Sequence, residues 1–431
     1  METIIALSTP PTLSAIAIIR LSGKESLELV KKVFSGFKKE VQPRYMYYGI
    51  LDTGKIKDDC MCVYFRAPNS YTGEDMVEIN CHGSVAVTES IIEYFIEQGA
   101  VMAEKGEFTK KAFINGKMDL TQSEAVIDLI NAQSEAQARS AYSQLSGTLY
   151  NRISDLQKRI VTAIAKIEVS LDYPEEEIEE TTKEESREEI NSIKDEILAL
   201  KNTYNSGKIL REGVKIAIVG KPNVGKSRLL NSLLGYERAI VTDIEGTTRD
   251  TLSESYQYNG IKFTLVDTAG IRNTDDTVEK IGVSLALREA KECDVLLHIA
   301  EAGEKFEKVE TTAKVIYVEN KIDKMPAVRE DSVKISALTG EGIEELKKVI
   351  YDTVCKNVTV GESRINNLRH LNAVTLALAN IERALENIDF VTLDLISSDL
   401  NQAYRALGSI TGITSEDEIV GEIFSKFCVG K

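Results

Sequence analysis

The chain has no run approaching the ~18 consecutive apolar residues of a membrane-spanning helix, which argues against a membrane protein. Met1-Glu2-Thr3 lack the basic start and apolar core of a secretory signal, so a cytoplasmic location is expected. The six cysteines, at 60, 62, 81, 293, 355 and 428, show no paired C-x-x-C spacing, and reduced thiols fit the same compartment. A basic surplus is also missing. The formal net charge is −16, whereas phosphate contacts to nucleic acid need a basic surface. An autonomous nucleic-acid binder is therefore disfavoured. Part of the acidity is local: Glu175, Glu176, Glu177, Glu179, Glu180, Glu184, Glu185, Glu188 and Glu189 face only Lys183 and Arg187 nearby, a run that is usually a solvated helix face. Cys60-Met61-Cys62 with Cys81-His82 allows a metal site to be imagined. The stronger reading is the inward face of a strand over residues 60–64, where alternate side chains share one side.

With 431 residues, 43% of them hydrophobic, the chain can fill several cores, and two to four domains are expected. The most informative stretch is Gly220-Lys221-Pro222-Asn223-Val224-Gly225-Lys226-Ser227. It fits G-x-x-x-x-G-K-[ST] and lies between a strand pattern, Val214 to Val219, and a helix start, Arg228 to Leu234. Glycines at 220 and 225 let backbone N–H groups curl around a polyphosphate, and the helix N-terminus adds its dipole. Lys226 is placed to reach the β/γ oxygens and Ser227 to ligate Mg²⁺. This pattern predicts a nucleoside triphosphate site.

The base is read further on. Val315 to Glu319 reads as a strand ending in Asn320-Lys321-Ile322-Asp323. A carboxylate there accepts hydrogen bonds from guanine N1–H and the 2-amino group; adenine offers neither donor and would leave Asp323 unpaired. Lys321 has a stem long enough to lie on the base plane. A second strand, Val333 to Ile335, ends in Ser336-Ala337-Leu338, whose backbone N–H groups are candidates for guanine O6. The expected ligand is GTP.

The catalytic elements lie between. Glu254–Tyr258 and Ile261–Val266 are two strands joined by Asn259-Gly260, a strong hairpin signal. The second delivers Asp267-Thr268-Ala269-Gly270: Asp267 to hold Mg²⁺ through water, Gly270 to give its N–H to the γ-phosphate. Thr242 to Asp250 is a polar loop able to close over the metal, with Thr248 as hydroxyl ligand. Ras-like enzymes place a water-orienting glutamine after this element, but Ile271 stands here. Either hydrolysis is very slow or another group does this job, with Asp275, Asp276 and Glu279 as acidic candidates.

Residues 1–118 mix short strands with helices, for example Ile16 to Leu21 and Ala86 to Gln98. From Asp119 the pattern is helical: Ile153, Leu156, Ile160, Ile164, Ile167 and Leu171 recur every three or four residues, one apolar face. Pro174 ends that run. Helical periodicity resumes after Tyr351, as at Leu378, Ile381, Leu385 and Ile388. Two amphipathic blocks flanking an α/β unit predict a P-loop domain, 212–352, inserted into a helical domain made of 119–211 and 353–431. The fold class expected is multidomain, mixing α/β and α+β. Between Asp294–Ala300 and the strand at Val315 only residues 301–314 remain for a helix. That trimming is expected to weaken packing on one sheet face without touching the nucleotide site.

G-K-P-N-V-G-K-S, T-D-I-E-G-T-T-R-D, D-T-A-G and V-E-K-I-G resemble the GTPase domain of the MnmE (TrmE) tRNA-modification family. The ends agree: Asn69-Ser70-Tyr71-Thr72-Gly73-Glu74-Asp75, Gly106-Glu107-Phe108-Thr109, Ala112 to Leu120, and the closing Phe427-Cys428-Val429-Gly430-Lys431 resemble its other signatures. The resemblance covers essentially the whole chain. It implies a K⁺ ion substituting for an arginine finger, held by Asn223, Thr242, Ile244 and Thr247, with Thr248 and Ser227 on Mg²⁺. Without that loop Asn223 reads as a turn former. Glu279 matches the water-orienting glutamate of the family, although on sequence alone it reads as a solvated helix residue. GTP contacts carried over residue by residue fall on Asn223, Val224, Gly225, Lys226, Ser227, Arg228, Thr242, Thr247, Thr248, Asp267, Thr268, Ala269, Gly270, Asn320, Lys321, Asp323, Ser336 and Ala337.

The resemblance further implies an N-terminal α+β domain that binds a tetrahydrofolate derivative and dimerises. Matching positions are Arg20, Glu78, Lys117 and Lys431; each alone would read as a surface salt bridge. One departure is Thr12-Leu13-Ser14-Ala15, where the family usually has a glycine-containing loop. Cys428 has two readings: a small buried hydrophobe, or a participant in modification chemistry beside a one-carbon carrier. Partners implied are tRNA, a second copy of the chain, and an FAD-containing MnmG (GidA)-type protein in a heterotetramer; such a partner would supply the basic surface. Two functions are weighed. One is a potassium-dependent GTPase that helps install an aminomethyl-type (carboxymethylaminomethyl) group at carbon five of the tRNA wobble uridine. The other is an assembly or maturation switch, which gives no reason for the motifs at the two ends.

Overall fold

The computed structural model describes residues 2–38, 40–172, 176–235, 254–266, 293–327, 329–356, 358, 364–390, 392–414 and 417–431, with side chains at 171–183 and 417–418 outside the description. The described residues fall into two compact units: 1–127, 144–194 and 376–431 form the first, and 128–143 with 195–375 the second.

The first unit opens with a six-stranded sheet: β1 (Ile4–Leu7), β2 (Ser14–Ser22), β3 (Met46–Asp52), β4 (Lys57–Phe65), β5 (Met76–Gly83) and β6 (Val101–Met102). The spatial order is β3-β4-β5-β2-β1-β6. The inner face buries Ile19, Leu21, Cys60, Cys62, Tyr64, Ile79 and Cys81 in one cluster with Leu29 of α1 (Ser26–Lys31) and Ile91 and Phe95 of α2 (Val85–Glu97). The alternation at 60, 62 and 64 is the strand pattern read from sequence. Burial raises the Cys62 thiol pKa, and that of Cys81 to about 12. Among the described residues no group of three His, Cys, Asp or Glu stands together to hold a metal.

Next along the chain come α3 (Glu107–Ile114) and α4 (Leu120–Ile130), in this unit as far as Ile127, and α5 (Glu135–Leu145), which belongs to the second unit up to Ser143. Beyond them α6 (Thr148–Asp172) buries Ile153, Leu156, Ile160, Ile164 and Ile167 along one face. Its neighbour α7 (Glu176–Asn202) carries much of the acidic run. Not all of that run is merely solvated. Glu185 pairs with Lys166 at 3.2 Å and Glu189 with Arg159 at 2.6 Å, both from α6.

The second unit centres on another six-stranded sheet. After α8 (Tyr204–Glu212) come β7 (Val214–Val219), α9 (Lys226–Leu234), β8 (Glu254–Tyr258), β9 (Ile261–Val266), β10 (Val295–Glu301), β11 (Lys314–Asn320), β12 (Val333–Lys334) and α10 (Ile343–Cys355). The order is β12-β11-β10-β7-β9-β8, parallel except for β8. Ile216, Ile218, Phe263, Leu297, Ile299 and Val318 fill its core, as strands buried on both faces require. Tyr258 pairs with Ile261 across Asn259 and Gly260, both at positive φ (49° and 78°), the tight hairpin expected. No helix forms between β10 and β11: residues 304–313 run without regular structure.

The chain closes with α11 (Leu368–Asn387), α12 (Leu393–Thr411) and α13 (Asp417–Ser425). Ile381 of α11 and Ile388, just past its end, are buried as their periodicity predicts. Gln157 of α6 donates to the Tyr404 carbonyl of α12 at 3.1 Å. The architecture is multidomain: an N-terminal α+β domain, helical segments and a P-loop α/β domain.

Candidate functional site

The phosphate loop joins β7 to α9 at the carboxyl ends of the parallel strands, where open α/β sheets bind ligands. A Cβ on Gly220 would lie 2.2 Å from the Ile299 carbonyl, and one on Gly225 (φ +101°) 2.4 Å from Asn320 Nδ2. Glycine is thus required at both positions. Asn223 sits at the loop tip with φ 66°; Val224 is buried, while Ser227 and Arg228 are exposed in the first turn of α9. The Lys226 ammonium caps the loop from inside, donating to the carbonyls of Gly220 and Lys221 at 2.8 Å each. Burial lowers its pKa from the ordinary lysine value. A bound polyphosphate would give this cation a stronger partner.

The residues expected to read the base are brought to the same place. Asn320 Nδ2 donates to the Val224 carbonyl at 2.8 Å, and its Oδ1 accepts the Ala337 N–H at 2.9 Å. Ser336 Oγ donates to Asp323 Oδ1 at 2.6 Å, fixing the carboxylate. Lys321 Nζ donates to the Asn223 carbonyl at 2.9 Å. Ser336 gives its own N–H to the Glu341 carbonyl. The Ser336 and Ala337 amides expected to face guanine are engaged inside the protein in this structure.

Thr242, Ile244, Thr247, Thr248, Asp267, Thr268, Ala269, Gly270, Ile271, Asp275, Asp276 and Glu279 lie outside the described residues. The oxygen donors that are described, the Ser227 hydroxyl and the Asn223 amide, suit the hard cations Mg²⁺ and K⁺.

The first unit holds a second site. Arg20 and Glu78 stand directly opposite on β2 and β5, and Arg20 Nε and Nη2 donate to Glu78 Oε1 at 2.9 and 2.7 Å. The rings of Tyr71 and Phe108 lie 5.5 and 5.6 Å from the guanidinium carbon, a cation–π arrangement. Arg20 Nη1 also donates to the Gly430 carbonyl at 3.2 Å. Burial lowers the pKa of Lys431, Arg20 adds to that, and Glu78 opposes it. Arg20, Glu78 and Lys431 are therefore brought together. Lys117 is placed elsewhere on the same loop system, donating to the Pro68 carbonyl at 2.9 Å.

The terminal motifs interlock around this pair. Asn115 Nδ2 holds the Thr72 carbonyl at 2.7 Å and Lys111 pairs with Glu74 at 2.9 Å. Phe427 is buried against Phe424, Leu120 and Val126. Lys105 and Val429 form a bridge, and Gly106 donates to the Cys428 carbonyl. The Cys428 side chain itself is exposed. The buried-hydrophobe reading of this cysteine fails, because its neighbours Phe427 and Gly430 anchor the tail. Sequence reasoning did not find Tyr71 and Phe108 as partners of Arg20, although both lie inside quoted motifs.

Residues 3–117 match the model of the GTP-binding protein TrmE N-terminus, and residues 120–428 that of the MnmE helical domain. A protein of Carboxydothermus hydrogenoformans named tRNA modification GTPase MnmE is 44% identical over 458 residues, covering 100% of this chain and 99% of the relative. The Aquifex aeolicus protein of the same name is 42% identical over 448 residues, covering 100% of both. Among solved structures, Aquifex aeolicus Era bound to GDP and AlF4⁻ is 28% identical, covering 39% of this chain and 66% of that one, with TM-score 0.25. A match of that score adds nothing to the assignment.

Proposed function

This chain belongs to the tRNA modification GTPase MnmE family, and we propose that it is a potassium-dependent GTP hydrolase acting in tRNA wobble-uridine modification. The observation that carries the GTPase reading is the Asn320 clasp, which fastens the base-reading strand to the phosphate loop. Asp323 reads guanine, Lys321 lies along the base, and Lys226 neutralises the β/γ oxygens. Ser227 and Thr248 would hold Mg²⁺. Asn223, Thr242, Ile244 and Thr247 would hold K⁺, which would supply positive charge to offset that developing on the phosphates. Glu279 orients the attacking water in place of the glutamine that Ile271 replaces.

At the other site a tetrahydrofolate derivative is bound by Arg20, Glu78 and Lys431, with Lys117 at its margin. An arginine–carboxylate pair under two aromatic rings suits a flat heterocycle carrying a carboxylate tail. Exposed Cys428, two residues from the carbonyl on Arg20, is available to the modification chemistry. The product is an aminomethyl-type group on carbon five of the wobble uridine. An FAD-containing MnmG-type partner supplies most of the tRNA contact, which reconciles a tRNA substrate with a net charge of −16. We place the functional divisions at 1–118, 119–211, 212–352 and 353–431.

The chain acts as a homodimer through its N-terminal sheet. The face opposite the helices exposes Tyr48 (71%), with Met46 and Ile50 on the edge strand and Ile16 further along, an apolar surface that a second copy would cover. The test of the cation assignment is GTP turnover by the full-length protein in potassium against sodium salts. Severe slowing in sodium is expected; equal turnover would refute it.

A further inference from the structure

We infer that Glu301 is a positioning residue for guanine-nucleotide binding, holding Lys321 against the phosphate loop before the nucleotide arrives. The inference rests on the GTP reading of this site and adds a residue that no sequence motif marks. Lys321 Nζ engages two acceptors together, the Asn223 carbonyl at 2.9 Å and the Glu301 carboxylate. Lys321 itself adopts φ 67°, a left-handed backbone that residues with a side chain keep only when their surroundings hold them.

Glu301 is held just as firmly. Three consecutive residues at the end of β10 fasten to three at the end of β11. Glu301 takes Lys321, the Ala302 N–H donates to the Asn320 carbonyl at 2.9 Å, and the Gly303 N–H to Glu319 Oε1 at 3.2 Å. Glu319 is fully buried and its other oxygen accepts the Arg329 N–H at 3.1 Å and the Ser332 hydroxyl at 2.5 Å. The end of β10 is thus fastened to the end of β11 at three successive residues.

A lysine stem lying along a purine loses rotamer freedom on binding. Glu301 removes that loss from the binding step by ordering Lys321 beforehand. The effect acts on the base plane, whereas discrimination of the base edge belongs to Asp323. Loss of Glu301 should therefore weaken all purine nucleotides alike without changing their ranking.

The test titrates the full-length protein with fluorescent methylanthraniloyl derivatives of GDP and of IDP, which lacks the 2-amino group. Glu301→Ala should weaken both by about three- to tenfold, with the GDP/IDP ratio and the melting temperature unchanged. Glu301→Asp should restore part of the loss. Glu301→Gln, nearly isosteric, covers the case in which the alanine variant does not fold, and should weaken both nucleotides in the same way. Affinity within twofold of the parent, tighter binding, or a loss confined to GDP would overturn the inference. A parent protein that binds neither nucleotide would overturn the GTP reading itself.

Discussion

Asn320 lies 96 residues after Val224, yet its side-chain amide donates to the Val224 carbonyl at 2.8 Å. That one bond fastens the loop at Val224 to the end of β11. Asn320→Ala should remove the clasp and orphan the buried Ala337 N–H, a loss of about 1–3 kcal/mol. The expected outcome is nucleotide affinity lowered roughly tenfold or more, read by equilibrium titration, together with a lower melting temperature.

Asp323 should fix which base is accepted. Asp323→Asn presents an amide donor where xanthine has an oxygen and guanine an amino group. GTP affinity should fall by about a hundredfold or more while binding of xanthosine triphosphate improves. Equal losses for both nucleotides would mean that Asp323 supports the loop and does not read the base.

Gly430 tests how the tail is docked. Its φ is +94°, and a Cβ there would lie 2.5 Å from the Leu7 carbonyl. Gly116 also has positive φ, +67°, but nothing lies within 4 Å of its Cβ position. Gly116→Ala should cost only the backbone strain, about 1 kcal/mol. Gly430→Ala should cost more and free the tail, seen as faster proteolysis of the C-terminus and faster labelling of Cys428 by a thiol reagent.

What was readable in advance was local. The phosphate loop, the Asn259-Gly260 hairpin, the buried cysteines of β4 and the apolar face of α6 each announce themselves through spacing or turn chemistry. The pairing of Arg20 with Glu78 was half legible, since family likeness marked both residues without saying that they touch. The Tyr71 and Phe108 rings over Arg20, the Glu301–Lys321 pair and the docking of Gly430 beside Leu7 join residues far apart in sequence. Such contacts leave no period to read, because they are set by strand order and loop closure. The short connection between β10 and β11 was visible as a length, but the bonds of Ala302 and Gly303 to Asn320 and Glu319 were not.

His298 predicts an acid-sensitive element in the P-loop unit. It is buried beside Phe306 (5.0 Å) and Tyr317 (5.9 Å). Burial lowers its pKa from 6.5, and Glu307 acts in the opposite direction. Below its ordinary value the unfolded chain binds a proton that the folded chain resists. Its stabilising contribution is therefore complete above that value and shrinks as pH falls towards the lowered folded one. His298→Phe should reduce the fall in melting temperature between about pH 7 and pH 5.5; an unchanged fall would assign the acid sensitivity elsewhere.

The most direct test of the whole account is the wobble uridine itself, analysed by nucleoside mass spectrometry in tRNA from a strain lacking this gene. The account predicts loss of the aminomethyl-type group, restored by the parent chain and not by Asp323→Asn or Arg20→Ala. A nucleoside profile identical to that of the intact strain would contradict it.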